Sequence, residues 1–171
     1  MTTDSIKSSE GTFKATLIFK NSTEVFQANR VRMHEIISDS GSKDLAIKGF
    51  QDTINKTTKT KEINSIQFFL DIKINQGLLE LSRPLTLPQI CINSAGYYKL
   101  EDSPDDDDDE VDTAYAFPCI RGKIDYANSP AHDHASATFN FTVEAPNGET
   151  FDIKGGFDVY NLEALVDVRT L

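Results

Sequence analysis

Tryptophan is missing from this chain of 171 residues, which also holds only two cysteines, two methionines and three histidines. The first two of these scarcities narrow what the chain can do. Without Trp, the strongest stacking surface for a sugar or a base is absent. Two cysteines leave room for at most one disulfide, so a small fold stapled by several bridges is excluded. Cys91 in PQICIN and Cys119 in FPCIRG both lie in apolar, strand-like runs, the setting of buried structural thiols, and are expected to be free rather than paired. The opening MTTDSIKSSEG has no basic stretch followed by an apolar one, and no apolar run approaches the ~20 residues that span a bilayer. The expectation is a cytoplasmic or otherwise soluble protein with no membrane span. Gly-x-Ser-x-Gly, a phosphate-binding loop, a dinucleotide fingerprint and a His-Glu-x-x-His helix are all missing. Nothing amounts to a catalytic signature, so a non-catalytic role is expected.

Basic charge is also in short supply, with 17 Lys and Arg against 27 Asp and Glu. The imbalance is local. Nine of the acids fall between Glu101 and Asp112, leaving 17 basic and 18 acidic residues elsewhere. A near-neutral body without a basic stripe argues against nucleic acid as a partner, because neutralising phosphates supplies most of that affinity.

What is present is a strand-rich pattern carried by 11 Phe and a hydrophobic content of 39%, enough for one core. TFKATLIFK places Phe13, Ala15, Leu17 and Phe19 on one face, and after Asn21-Ser22 the run EVFQANRV returns with Phe26 and Ala28. MHEIISDSGSKDLAIKGF reads as two strands about the turn chemistry of SDSGS, with a short helix near Lys48 to Asn55 as the alternative. IQFFLDIKI alternates over Ile66, Phe68, Leu70, Ile72 and Ile74, and Asn75-Gln76-Gly77 predicts a hairpin returning through LLELSRPLTL, an edge strand because of Pro84 and Pro88. TFNFTVEAPNGETFDIKGGFDVY predicts a second hairpin about Asn147-Gly148, with a bulge or bend at Gly155-Gly156. Between the hairpins, ICINSAGYYKL and TAYAFPCIRGKIDY flank the acidic tract, and NLEALVDVRTL closes the chain as a helical turn or a strand. The fold class is all-β: a single antiparallel β-sandwich or closed β-barrel of about eight to ten strands. Residues 1–11 are expected as a flexible N-terminus and 12–171 as the β domain, with an acidic loop at 101–112.

The acidic tract LEDSPDDDDDEVD is the least conventional surface. Asp105, Asp106, Asp107, Asp108, Asp109 and Glu110 have neither the staggered spacing nor the glycine of a calcium loop, so only weak association with a divalent cation is expected and no cofactor. A polyanion on a loop can steer Lys/Arg-rich segments without exact geometry, and it can equally be a solvated loop. In PAHDHAS, His132 and His134 can begin a transition-metal site, which would need further ligands from Cys119, the acidic loop or His34. The flanking Asn128, Ser129 and Pro130 mark this segment as a loop. The function expected is therefore an interaction or ligand-binding β module whose partner is a protein or a small ligand. A β-barrel carrier or enzyme with an internal pocket, and a structural or assembly subunit, are the alternatives.

Overall fold

The computed structural model describes residues 8–37, 43–84, 93–102, 111–129 and 133–163. Among them the chain forms ten antiparallel strands and no helix. β1 (Glu10–Ile18) and β2 (Thr23–Gln27) make the first hairpin, closed by the Phe19 amide on the Ser22 carbonyl at 2.9 Å. β1 starts two residues ahead of the expected Thr12, because Glu10 and Gly11 already pair with Tyr160 and Val159. β3 (Arg30–Ile37) and β4 (Lys43–Ile54) pair on either side of the predicted turn. The helix alternative near Lys48 is not formed, since β4 stays paired with β5 (Lys61–Asp71) as far as Ile54. β9 (His134–Glu144) and β10 (Thr150–Tyr160) form the hairpin predicted about Asn147-Gly148, where Gly148 takes φ +86°, a conformation open to glycine.

Two expectations are corrected. β6 (Gln76–Glu80) does not return against β5, whose two edges are already occupied by β4 and by β7 (Ser94–Asp102). It pairs instead with β8 (Val111–Ser129). Of the bulge or bend expected at Gly155-Gly156, the bulge is not formed, because β10 keeps an unbroken register with both β1 and β9. The glycine is there for space: a Cβ on Gly155 would lie 2.1 Å from the Lys14 carbonyl oxygen. The irregularities fall in β8, which pairs with β7 up to Pro118 and with β9 from Cys119, with a register shift between Cys119 and Arg121. Pro118 cannot donate to a ladder, and it stands where the strand changes partners.

The strands run β2-β1-β10-β9-β8-β7-β5-β4-β3, with β6 beside β8. This single sheet does not close into a barrel. Its two end strands are joined by the Ala28-Asn29 link, whose amides bond Phe13 O on one side and Phe50 O on the other at 2.9 Å, and no ladder forms between them.

The sheet folds over so that its inner faces meet on phenylalanine. Phe68 of β5 lies 4.8 Å from Phe139 of β9, 5.7 Å from Phe157 of β10 and 6.1 Å from Phe13 of β1, ring centre to ring centre. Such pairs add about 0.5–1.5 kcal/mol each beyond the area they bury. Gly49 of β4 makes the room, since a Cβ there would stand 2.7 Å from the Phe13 ring. The core therefore uses one face of β3, β4, β5 and β7, and the opposite face carries a second, partly buried set of side chains.

Candidate functional site

The register fixes which side chains share that outer face. Met33, Leu45, Ile47, Ile66, Phe68, Leu70, Ala95 and Tyr97 belong to the core, so their strand neighbours point the opposite way. Across β3, β4, β5 and β7 one row reads Arg30, Phe50, Ser65, Tyr98, the next Arg32, Lys48, Gln67, Gly96, and the third His34, Ala46, Phe69, Ser94. A fourth sets Ile36, Asp44 and Asp71 side by side. Small residues form the floor and rings lie across it. The Tyr98 ring covers Gly96, where a Cβ would come within 2.7 Å of the phenol oxygen, and Ala46, Ser65 and Ser94 are fully buried. The Arg30 guanidinium carbon sits 5.0 Å from the Phe50 ring centre and the Lys48 Nζ 5.9 Å from that of Phe69.

The first two rows concentrate hydrogen-bond donors. Arg32 donates through Nε to Glu163 at 2.8 Å, while Arg30 holds Asp52 through two bonds of 3.0 and 2.9 Å. The Arg30 guanidinium bonded to Asp52 keeps that carboxyl below the usual range. The Gln67 amide donates to the Ser65 hydroxyl at 3.1 Å. Lys48, half-buried between Arg32 and Gln67, makes no ion pair with any described carboxylate. Burial first, and the neighbouring Arg32 second, lower its pKa to about 8, with Glu163 opposing. Loss of solvent on burial, then Lys48 and Arg32, take buried His34 down to about 4, and its Nε2 has no partner. Asp44 is 1% exposed with both carboxylate oxygens unpartnered, and burial followed by Asp71 raises its pKa. A groove of about 410 Å³ adjoins this face along β3, lined by Ser8, Ser9, Asn29, Arg30, Arg32 and Glu163 among others. The arrangement suits an anionic group: cations and an amide in a row, one ammonium without an ion pair among the described residues, and aromatic rings in the rows on both sides.

The sites singled out from the sequence fall elsewhere. Asp105, Asp106, Asp107, Asp108, Asp109 and Glu110 lie outside the described residues, as do His132 and Cys91. His134 opens β9 rather than sitting in a loop, because its backbone pairs with Tyr160 and Ser129. Its Nε2 contacts the Asp158 carboxylate and its ring stacks on Tyr160 at 4.2 Å with 10° between planes. Cys119 is a free thiol buried in the core, pushed up to about 11 by burial. Among the described residues no group of three or more His, Cys, Asp or Glu side chains could hold a metal ion, and no helix is long and apolar enough to cross a membrane.

The sequence reading missed Arg32, Lys48 and Gln67, and took His34 only as a spare ligand. The signal was present on single strands: RVRMHE and KDLAIKGF alternate core residues with Arg32, His34, Asp44, Lys48 and Phe50. What it lacked was the register between strands. The chain matches no protein-family model, no curated protein sequence and no solved structure.

Proposed function

We propose that this protein is a non-catalytic binding module that receives an anionic group, from a small ligand or from a partner protein, on the outer face of β3, β4, β5 and β7. The observation that carries the reading is Lys48. Keeping a half-buried ammonium beside Arg32 without a carboxylate of its own costs the fold free energy, and a bound anion would offset that cost. Arg32 and Gln67 flank the spot from adjacent strands, and Phe50, Phe69 and Tyr98 offer flat apolar surface to the remainder of a ligand. The tract Asp105 to Glu110 is a second proposed surface, for basic partners, on charge alone. The assembly-subunit reading draws on β2 and β6, which each pair along one edge only among the described residues and expose Val25 and Leu78.

The test is thermal unfolding of the wild type and Lys48→Met in inorganic phosphate or benzoate, against sodium chloride at matched ionic strength. An anion that binds only the native state at about a hundredfold excess over its Kd stabilises by roughly 2.7 kcal/mol. A saturable rise in Tm with either anion, absent from Lys48→Met, is the expected result. Equal shifts in both proteins, or none in either, overturn the reading.

A further inference from the structure

We propose that Lys48 is a carbonyl-reactive amine, selective for small aldehydes and ketones that carry a carboxylate, which it captures as an imine. The inference rests on the reading of this face as an anion site and goes beyond it, because binding needs the ammonium whereas capture needs the free amine. Three observations separate Lys48 from the other lysines. It is the one lysine among the described residues that is not exposed. Partly buried, it makes no ion pair with a described carboxylate, and its Nζ lies over the Phe69 ring at 5.9 Å instead. Its neighbour directly across the β3–β4 ladder is Arg32, which uses Nε on Glu163 and carries further N–H donors for a substrate carboxylate.

The chemistry balances without an oxidant or reductant. The free amine of Lys48 attacks the carbonyl carbon, a C–N bond forms as the C–O π bond opens, and proton transfer from nitrogen to oxygen gives the carbinolamine. Loss of water then gives the imine. Two charged groups bear on the amine's charge, Arg32 from β3, which disfavours the ammonium, and Glu163 from the segment beside β3, which favours it, while His34 of β3 and the neutral Gln67 of β5 share its face of the sheet. With its pKa lowered to about 8, far more of Lys48 is free amine at pH 7.5 than the about 0.1% of an ordinary lysine. Lower basicity weakens the nucleophile and recovers only part of that advantage.

Wild-type protein is incubated at pH 7.5 with glyoxylate and sodium cyanoborohydride, which reduces the imine to a stable amine, and the adducts are mapped by peptide mass spectrometry. Propionaldehyde serves as the neutral comparison. The expected result is at least tenfold more glyoxylate adduct on Lys48 than on exposed Lys14, Lys123 or Lys154, protection by inorganic phosphate, and a weaker preference with propionaldehyde. Lys48→Arg is expected to leave only the background on the exposed lysines. Glyoxylate adducts spread by exposure, with Lys48 no higher than the rest, overturn the proposal, and because the wild-type map decides it, folding of the variant is not required. Equal enrichment with propionaldehyde overturns the role given to Arg32. A Lys48-dependent phosphate shift in Tm without an adduct ends this inference and leaves the anion site standing.

Discussion

His34 makes the stability of this fold depend on pH in a direction and window that the structure specifies. Burial, then the charges of Lys48 and Arg32, lower its pKa to about 4 in the folded protein, whereas an unfolded chain returns it to about 6.5. The folded state thus binds fewer protons than the unfolded one. The stability associated with His34 is complete above pH 6.5 and is lost as the pH falls toward 4. Between pH 7 and pH 5 the linkage relation gives a loss of about 2 kcal/mol, or roughly 4–8 °C in Tm for a domain of this size. Two neighbours need separating. Lys48, also lowered, loses stability as the pH falls from about 10.5 toward 8 and is flat below that. Asp44 acts in the opposite sense, because its raised pKa means that acid relieves a cost carried at neutral pH. His34→Phe isolates the histidine while leaving both in place. The assay is a series of thermal melts from pH 7.5 to pH 4.5 at constant ionic strength. The expected outcome is that the wild type loses several degrees more than His34→Phe on acidification, and that the variant equals or exceeds it at pH 7 because an unpartnered buried nitrogen has gone. Parallel curves for the two proteins would refute the claim that His34 is buried and neutral.

Two further outcomes test the packing directly. Gly155→Ala brings a methyl group to 2.1 Å from the Lys14 carbonyl oxygen and so must part β1 from β10. It is expected to cost about 3 kcal/mol or more in urea unfolding, whereas Gly148→Ala, with open space but φ +86°, costs about 1 kcal/mol. Cys119, buried and with its thiol pushed up to about 11, is expected to alkylate at least about a hundredfold more slowly in the native protein than in urea. Mass-mapped labelling at comparable native and denatured rates would mean that β8 opens readily around Cys119.

What a sequence can disclose about such a fold divides along the distinction between local and non-local information. The hairpins β1–β2, β3–β4 and β9–β10 were legible because each depends on a two-residue alternation and a turn lying within one short stretch, as in TFNFTVEAPNGETFDI. The β5–β6 hairpin carried the same local signals and was not formed, because the edge it needed is held by β7, which begins at Ser94. Local chemistry proposes a pairing, and competition among distant strands decides it. The site follows the same rule. Arg32, Lys48, Gln67 and Gly96 are separated by 16, 19 and 29 positions in the chain and become one row only through three ladders. By contrast, DDDDDE and HDH drew notice because their residues are adjacent. Adjacency and chemistry are different things in a sheet, where neighbours in sequence point to opposite faces and neighbours in space come from other strands. Lys48 illustrates the consequence. Within KDLAIKGF it reads as an ordinary solvent-facing lysine, and its chemical character comes from burial first, then from Arg32 on one side, Phe69 beneath and the lack of an ion pair with any described carboxylate, none of which is written in its own strand.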